Sequence, residues 1–288
     1  MIKYICYNWM GMVADHCLDF SRADYKSWGV EPLHSKGPFK PENVKDGDVV
    51  FVKTDYVFNG AFQQIAKKIT NPYTLITGAS SYKVSDGQSI RSLLDDKNLK
   101  KWYCTNAPTH INQKFVPLPI GFEEKERPGG DQLVLDRLRK GRTKFEDKIN
   151  KILLPYHDLS TNPQRNALCA MLRRMPFVEV QEEKLPFEEY VKNIDRYKFV
   201  ICLEGSGPDV HRNYEALLVD TVPINSRNII EDLFKEYTLP GEFVDTWDDL
   251  DDNYFQNMSE KDYNVEGNGQ FLRVGFHTLN IKENRNEN

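Results

Sequence analysis

The sequence lacks any long apolar segment. No uninterrupted apolar run approaches the ~18 residues that suggest a membrane-spanning helix. The first predicted strand, 2–7, starts at the beginning of the given sequence, so we expect no secretory leader. We therefore expect a soluble, cytoplasmic protein without a membrane span.

Cysteine is scarce and shows no pairing pattern. The five cysteines are odd in number, spread along 288 residues and without a Cys-x-x-Cys pair, which favours neither a disulfide framework nor a zinc cluster. Asp46-Gly47-Asp48 resembles an Asp-x-Asp metal motif, but it precedes a predicted strand, and Asp-Gly is typical of a turn. No metal site is assigned and no cofactor is expected to be required, while dependence on a divalent metal stays open.

Positive charge is not in excess either. Lys and Arg total 38 against 43 Asp and Glu, which gives a net charge of −5, and the basic residues are scattered. Nucleic-acid-binding domains carry a concentrated basic surface, so no nucleic acid partner is expected. Hydrophobic residues make up 40% and aromatic residues 12% of the chain, which suffices for the core of a globular protein.

Short apolar runs alternate with stretches of helical spacing along the chain. Strands that alternate with helices indicate βαβ units and therefore an α/β fold with parallel sheets. The predicted strands are 2–7, 48–53, 74–77, 101–104, 115–118, 152–156, 177–180, 198–203, 221–225 and 242–244. The predicted helices include 61–69, 89–95, 164–174, 187–194, 210–219 and 228–235.

A charged, turn-rich stretch near residues 123–150 divides these elements into two sets. It includes a predicted, strongly charged helix at 131–148. We therefore predict two Rossmann-like domains whose parallel sheets face a central cleft. The N-terminal domain takes 1–125, a charged linker and helix take 126–150, and the C-terminal domain with its tail takes 151–288. Parallel sheets bind ligands at the carboxyl ends of their strands.

The most informative segment is 197–218, where an apolar strand runs into a tight loop and then a helix. Asp209 is predicted to cap that helix. A strand, a glycine-containing turn and a helix N-terminus form a site for an anion, because unpaired backbone N–H groups and the helix dipole point at one spot. The loop consists of Glu204, Gly205, Ser206, Gly207 and Pro208.

The first turn and a half of the helix adds three polar side chains, those of His211, Arg212 and Glu215. An arginine can bind phosphate oxygens through two parallel N–H groups, and a glutamate can accept hydrogen bonds from two sugar hydroxyls. The segment therefore predicts a binding site for a nucleotide diphosphate with its ribose. The alternative for Arg212 and Glu215 is an ordinary surface ion pair three residues apart.

The helix start also carries a longer pattern, Asp209-x-His211-Arg212-x-Tyr214-Glu215-Ala216-Leu217. This pattern resembles the C-terminal signature of the exostosin-like inverting glycosyltransferases. The similarity runs from about residue 152 to 250. It is looser in the N-terminal half, at 51–55, 75–78 and 118–122.

The resemblance implies a soluble, viral- or bacterial-style member with the two-Rossmann-domain, GT-B-like fold. Such an enzyme would move a sugar from a UDP-sugar donor to a hydroxyl of a glycan or glycoprotein acceptor by a single displacement. The N-terminal domain would take the acceptor and the C-terminal domain the donor. Xylose, glucuronate, galactose and N-acetylglucosamine all stay open as the sugar, with xylose the first choice.

The resemblance also implies roles for particular side chains. It places Glu215 on the ribose of UDP and Arg212 on phosphate, with a second phosphate contact from Arg165 and the region of Thr161. His211 either contacts the diphosphate or sugar or is a structural histidine. Glu204 is a candidate for the sugar hydroxyls, or else a surface carboxylate.

Inverting transfer needs a general base on the acceptor hydroxyl. We expect that base in the N-terminal domain, and the candidates are Asp55, Asp86 and His110. Asp55 comes at the predicted carboxyl end of a strand. Ser81 stands where related sequences often carry an acidic residue, and Asp86 could supply the carboxylate that is missing there.

Two other classes of function stay open. A nucleotide-dependent oxidoreductase would need a Gly-x-Gly-x-x-Gly turn after the first strand of a Rossmann unit, and neither half of the chain has one. A non-catalytic sugar-binding module on the same fold is disfavoured because His211, Arg212 and Glu215 are all present.

Overall fold

The computed structural model describes residues 3–6, 9–18, 39–84, 87–107 and 112–283. Its helices and strands form a mixed α/β architecture with two five-stranded sheets. All pairings between neighbouring strands in both sheets are parallel. The prediction of an α/β fold with parallel, Rossmann-like sheets is confirmed.

The first sheet takes its strands in chain order, β1 to β5. Its strands are β1 (His16–Leu18), β2 (Asp48–Lys53), β3 (Tyr73–Gly78), β4 (Leu99–Thr105) and β5 (Phe115–Leu118). The helices of this part are α1 (Trp9–Val13), α2 (Thr54–Phe58), α3 (Ala61–Ala66) and α4 (Gln88–Leu94). A short 3-10 turn, Pro41–Asn43, precedes β2.

The second sheet follows a connecting helix, α5 (Gln132–Lys140). Its strands are β6 (Ile149–Leu154), β7 (Val178–Val180), β8 (Tyr197–Ile201), β9 (Val222–Ser226) and β10 (Glu242–Val244). The helices between and after them are α6 (Gln164–Leu172), α7 (Phe187–Asp195), α8 (His211–Leu218), α9 (Ile230–Glu236), α10 (Asp252–Ser259), α11 (Asn268–Phe271) and α12 (Val274–Glu283). Further 3-10 turns are Pro128–Gly130, Phe145–Asp147 and Trp247–Asp249.

The second sheet reverses its direction of growth between two neighbouring strands. Its order is β10-β9-β8-β6-β7, so the chain moves from β6 outward to β7 and then returns to place β8 on the other side of β6. In open parallel sheets, the crevice outside the carboxyl ends of the strands at such a reversal is where ligands bind. The loops that follow β6 and β8 therefore define the expected position of a site.

Apolar, β-branched residues explain why the strands are buried on both faces of each sheet. Along β2, Val49 and Phe51 pack into one core cluster while Val50 and Val52 pack into another on the opposite face. Side chains alternate between the faces of a sheet, and a parallel sheet covered on both sides needs apolar residues at every position. The same pattern holds for β8, where Val200 and Phe199 belong to separate clusters.

One core cluster joins the two halves of the chain. It includes Phe51 and Tyr103 from the first sheet together with Val200 from the second. The C-terminal segment also returns to the start of the chain, since Ile5 N–H donates to the Leu272 carbonyl (2.9 Å). The division into 1–125, 126–150 and 151–288 stays a prediction. The last helix, α12, packs against the start of the chain, since the ring centroids of His277 and Trp9 lie 5.2 Å apart.

Two predicted elements differ from the structure. In the predicted strand 2–7, the described residues make only single bridges, Tyr4 with Arg273 and Cys6 with Phe122. The predicted helix 131–148 is wrong in its length, because the helix ends at Lys140 with Gly141 at its C-cap. The amide of Thr143 then donates to the Asp195 carboxylate (3.0 Å), which fixes the chain on a non-helical path.

Candidate functional site

A cavity of about 710 Å³ lies outside the carboxyl ends of β6 and β8. Residues that follow β6 form part of its wall, including Tyr156 and Asp158, and so do the loop after β8 and the first turn of α8. The opposite wall comes from residues after strands of the first sheet, such as Ser81 and Asn106. The cavity therefore occupies the crevice that the strand order predicts, and its size is that of a small-molecule site.

The structure brings together most of the residues that the sequence assigned to the nucleotide-sugar. Glu204 is the exception, because it does not line the cavity and its Oε1 accepts from Asn228 Nδ2 at 2.6 Å. This orientation does not support the predicted contact between Glu204 and the sugar. The nine that line the cavity are Thr161, Arg165, Gly205, Ser206, Gly207, Asp209, His211, Arg212 and Glu215.

Asp209 does not cap the helix. The cap position of α8 is Val210, and no side chain caps the first-turn amides. Asp209 is buried instead, and its Oδ2 accepts from the Ile120 amide at 3.1 Å and from the Tyr214 hydroxyl, while Asn213 donates to Oδ1. Burial raises the pKa of Asp209 to about 6. The carboxylate thus ties the start of α8 to the segment after β5.

The start of α8 has no side-chain cap, and while the Asn213 N–H donates to the Val210 carbonyl (3.1 Å), the N–H groups of His211 and Arg212 have no partner among the described residues. An α-helix leaves the amides of its first turn without intrahelical partners, and its N-terminus carries a partial positive charge. The loop before it approaches the opposite wall closely, since a Cβ at Gly207 would lie 2.8 Å from the Ser81 carbonyl oxygen. A side chain at residue 207 would therefore force the two walls apart.

Arg212 is held by three partners around its guanidinium. Its Nε donates to the Tyr190 hydroxyl (2.7 Å), its Nη2 to the Tyr156 carbonyl (2.9 Å) and its Nη1 to Nε2 of His157. An arginine has five N–H donors, so two of them stay available to a ligand. These three contacts hold the Arg212 guanidinium in place at the wall of the cavity.

His157 is neutral in this arrangement. Its Nδ1 lies 2.7 Å from the Pro155 carbonyl, which can only accept, so Nδ1 carries the proton and Nε2 accepts from Arg212. Burial first, and then the charges of Arg212 and Arg165, lower the pKa of His157 to about 2. A neutral imidazole can accept a hydrogen bond from Arg212 and orient its guanidinium without repelling the positive charge.

Glu215 is buried beside Arg212 on the same helix. Its Oε2 accepts from the Tyr190 hydroxyl at 2.9 Å, and burial raises its pKa. Its Oε1 has no hydrogen-bond partner among the described residues, and the residue lines the cavity. One carboxylate oxygen is therefore fixed by Tyr190 while the other can accept from a ligand hydroxyl.

Arg165 acts mainly as an internal clamp. Its guanidinium donates to the carbonyls of Glu204 (2.9 Å), Leu203 (3.0 Å) and Asp158 (2.8 Å) and to the Thr161 hydroxyl (2.6 Å). Four of its five N–H donors are thus occupied by the loops after β6 and β8. At most one donor remains for the phosphate that the sequence assigned to it.

His211 links the two walls. Its Nδ1 lies 2.7 Å from the Gly121 carbonyl, so Nδ1 donates there, and Nε2 has no partner among the described residues. The ring lines the cavity. The residue that supplies this carbonyl, Gly121, has a φ of +74°, in the left-handed region that favours glycine.

Of the three predicted bases, the structure describes Asp55 alone. Asp55 lies in α2, directly after β2, and its Oδ1 is 3.8 Å from Lys53 Nζ, but it is not part of the cavity wall. Asp86 and His110 lie outside the described residues. Among the described residues of the first half of the chain, Glu123 contributes a carboxylate to the wall.

Several site residues have only a weak signal in the sequence, or none. Tyr156 and His157 directly follow a buried strand, and the carboxyl-end rule could have indicated them. Tyr190 lies on α7, a helix whose amphipathic spacing gives no sign that its hydroxyl joins Arg212 and Glu215. That contact depends on how α7 and α8 pack.

Among the described residues, no group of three or more His, Cys, Asp or Glu is arranged to hold a metal ion. In the same part of the chain, no helix is both long and apolar enough to cross a bilayer. No protein-family model matches the chain, and a search of curated proteins finds no match.

Proposed function

We propose that this protein is an inverting glycosyltransferase that moves a sugar from a UDP-sugar to a hydroxyl of a glycan acceptor. One observation carries the proposal: the uncapped start of α8, Arg212 and Glu215 converge on a single cavity at the reversal point of the second sheet. UDP as the carrier and the GT-B-like arrangement of two domains rest on the resemblance to exostosin-like enzymes.

The geometry suits the two halves of a nucleoside diphosphate. The diphosphate needs positive potential, which the amides of the first turn of α8 and the two free N–H groups of Arg212 supply. The ribose needs an acceptor for its hydroxyls, which Oε1 of Glu215 supplies. As the sugar leaves, the negative charge that develops on the diphosphate lies where these donors are already oriented, which lowers the barrier.

The loop after β6 argues against a dinucleotide-dependent oxidoreductase. In Rossmann oxidoreductases the first strand-to-helix turn contains glycines that let the backbone approach the pyrophosphate. Here residues 155–163 contain no glycine, and the loop is braced by Arg165 through the Asp158 carbonyl and Thr161. The features that can bind an anion follow β8 instead.

Thermal unfolding with UDP, GDP, ADP and NAD, each with and without Mn²⁺, tests the donor class. A ligand at 100 times its dissociation constant stabilises the fold by about 2.7 kcal/mol, which raises Tm by several degrees in a chain of this size. We expect a shift with UDP. A shift with NAD alone supports the oxidoreductase, and no shift with any nucleotide contradicts the proposal.

Substitution of Glu215 tests the assigned position. Glu215→Gln keeps an oxygen for the Tyr190 hydroxyl but removes the charge, so we expect a folded protein with a much smaller UDP shift. Glu236→Gln is the matched control, since Glu236 is exposed at the end of α9. UDP release from UDP-xylose, UDP-glucuronate, UDP-galactose and UDP-N-acetylglucosamine, with simple glycosides as acceptors, then tests transfer itself.

A further inference from the structure

The carboxylates that line the cavity differ in their partners. Asp158 accepts from the amide and hydroxyl of Ser160, Asp209 has the partners described above, and Glu215 accepts from Tyr190. Glu123 also lines the cavity, but it makes no hydrogen bond or ion pair with any residue that the structure describes. It is half-buried, which leaves its oxygens accessible to a bound molecule.

Glu123 lies on the wall opposite the diphosphate features of α8. It belongs to the segment after β5, two residues beyond Gly121, whose carbonyl accepts from His211. It is also close enough to Glu215 for its negative charge to contribute to the raised pKa of that residue. The two carboxylates therefore face the same space from different halves of the chain.

The position of Glu123 is constrained by its surroundings. Phe122 N–H donates to the Ile5 carbonyl (3.0 Å), which fixes the backbone just before it. Gly129 packs directly against the side chain, and a Cβ at that position would lie 2.7 Å from Oε2 of Glu123. A residue larger than glycine at 129 would have to displace the carboxylate.

On the basis of the proposed function, we propose that Glu123 is the general base of the transfer, the role that the sequence gave to Asp55, Asp86 or His110. Its carboxylate takes the proton of the acceptor hydroxyl as that oxygen forms a bond to the anomeric carbon of the donor sugar. The bond from that carbon to the diphosphate oxygen breaks on the opposite side. Its electron pair leaves with UDP, where Arg212 and the start of α8 stabilise the charge.

Glu123→Gln tests this role because it keeps the shape of the side chain and removes its basicity. We expect a fall in kcat for UDP release of about 10²- to 10⁴-fold at saturating UDP-sugar, with the UDP-induced Tm shift of the wild type retained. Glu126→Gln, three residues away and outside the cavity, is the matched control with wild-type kcat. Circular dichroism checks that each variant is folded.

A second variant tests the position of the carboxylate without changing it. Gly129→Ala should lower kcat by up to about 10²-fold through misplacement of Glu123, while Gly275→Ala, where a Cβ meets nothing within 4 Å, should not. His211→Gln should instead weaken the UDP shift, since His211 lies on the donor side.

The outcomes separate the inference from the proposed function. Wild-type protein that binds no UDP and releases none from any UDP-sugar contradicts the proposed function, and the role of Glu123 falls with it. An active wild type together with a fully active Glu123→Gln variant overturns the role of Glu123 alone. Loss of kcat with unchanged UDP binding in His211→Gln, but not in Glu123→Gln, would assign the base to His211.

Discussion

The hydroxyl of Tyr190 donates a hydrogen bond of 2.9 Å to Oε2 of Glu215, a carboxylate that is only 8% exposed. The same hydroxyl accepts from Nε of Arg212 at 2.7 Å. One phenol therefore stands between the buried carboxylate of Glu215 and the half-buried guanidinium of Arg212, three residues apart on α8. It fixes the orientation of both groups towards the cavity without letting them form a direct ion pair.

Tyr190→Phe should weaken both the fold and UDP binding. The change leaves Oε2 of Glu215 buried without a donor, which costs about 1–3 kcal/mol, and it releases one constraint on Arg212. Chemical denaturation measures the first effect and the UDP-induced Tm shift the second. Tyr82→Phe is the control, because Tyr82 is 55% exposed and its hydroxyl makes no hydrogen bond with a described residue. Equal stability of the two variants would contradict the bridging role.

Arg165→Lys should destabilise the protein more than it alters UDP binding. An ammonium group cannot reproduce the planar fork that reaches three carbonyls and the Thr161 hydroxyl, so we expect a loss of about 2 kcal/mol or more. The UDP shift of the folded variant should stay near that of the wild type. Arg174→Lys, at an exposed position of no assigned role, serves as the control. A lost UDP shift with unchanged stability would restore the phosphate role that the sequence assigned to Arg165.

Asp209 should make the wild type lose stability as pH rises through the acid range. Burial raises its pKa from an ordinary value near 3.8 to about 6, so between about pH 4 and about pH 6 the folded state holds a proton that the unfolded state has released. By linkage, stability then falls as pH rises, by up to about 3 kcal/mol, and is flat with respect to this group above that window.

Asp209→Asn removes that titration while an amide oxygen can still accept from Ile120 or Tyr214. The stability of the wild type relative to Asp209→Asn should therefore decline from about pH 4 to about pH 6 in denaturant titrations. Asp262→Asn, at an exposed site on the surface, controls for the loss of one negative charge. A difference between wild type and Asp209→Asn that does not vary with pH would show that Asp209 titrates normally.

The α/β class and the two parallel sheets follow from local patterns, which the sequence displays. The strand prediction 48–53 matches β2, and 115–118 matches β5, because apolar, β-branched runs bounded by turn residues carry a strong local signal. β1 escaped prediction because it has only three residues, His16–Leu18. A strand that short leaves too few positions to show a period.

The site was predictable in its position but not in its contacts. Arg212 and Glu215, which the carboxyl-end rule and the glycine-containing loop indicated, both line the cavity. The partners of Arg165, Glu204 and Asp209 were not predictable, since each bonds to residues distant in the sequence. Whether a polar side chain faces a ligand or the protein depends on packing between elements, which one sequence does not display.

The last prediction concerns Gly121, at the junction of the two cavity walls. It has a φ of +74°, and a Cβ there would lie 2.7 Å from the Ile5 carbonyl oxygen, which is backbone and cannot move aside. Gly121→Ala therefore adds a steric conflict to the cost of a left-handed alanine, which is about 1–2 kcal/mol. It should also displace the carbonyl that accepts from His211.

Gly47→Ala separates these two costs. Gly47 has nearly the same φ, +77°, but a Cβ there meets nothing within 4 Å, so that variant carries the conformational cost alone. We expect Gly121→Ala to be less stable than Gly47→Ala by a further 1–3 kcal/mol, roughly, as for other overpacked sites. We also expect its UDP shift to be reduced, while that of Gly47→Ala stays intact. Equal stability of the two alanine variants in denaturant titrations would mean that the Ile5 backbone yields, and that the two walls are less firmly joined at Gly121 than the structure indicates.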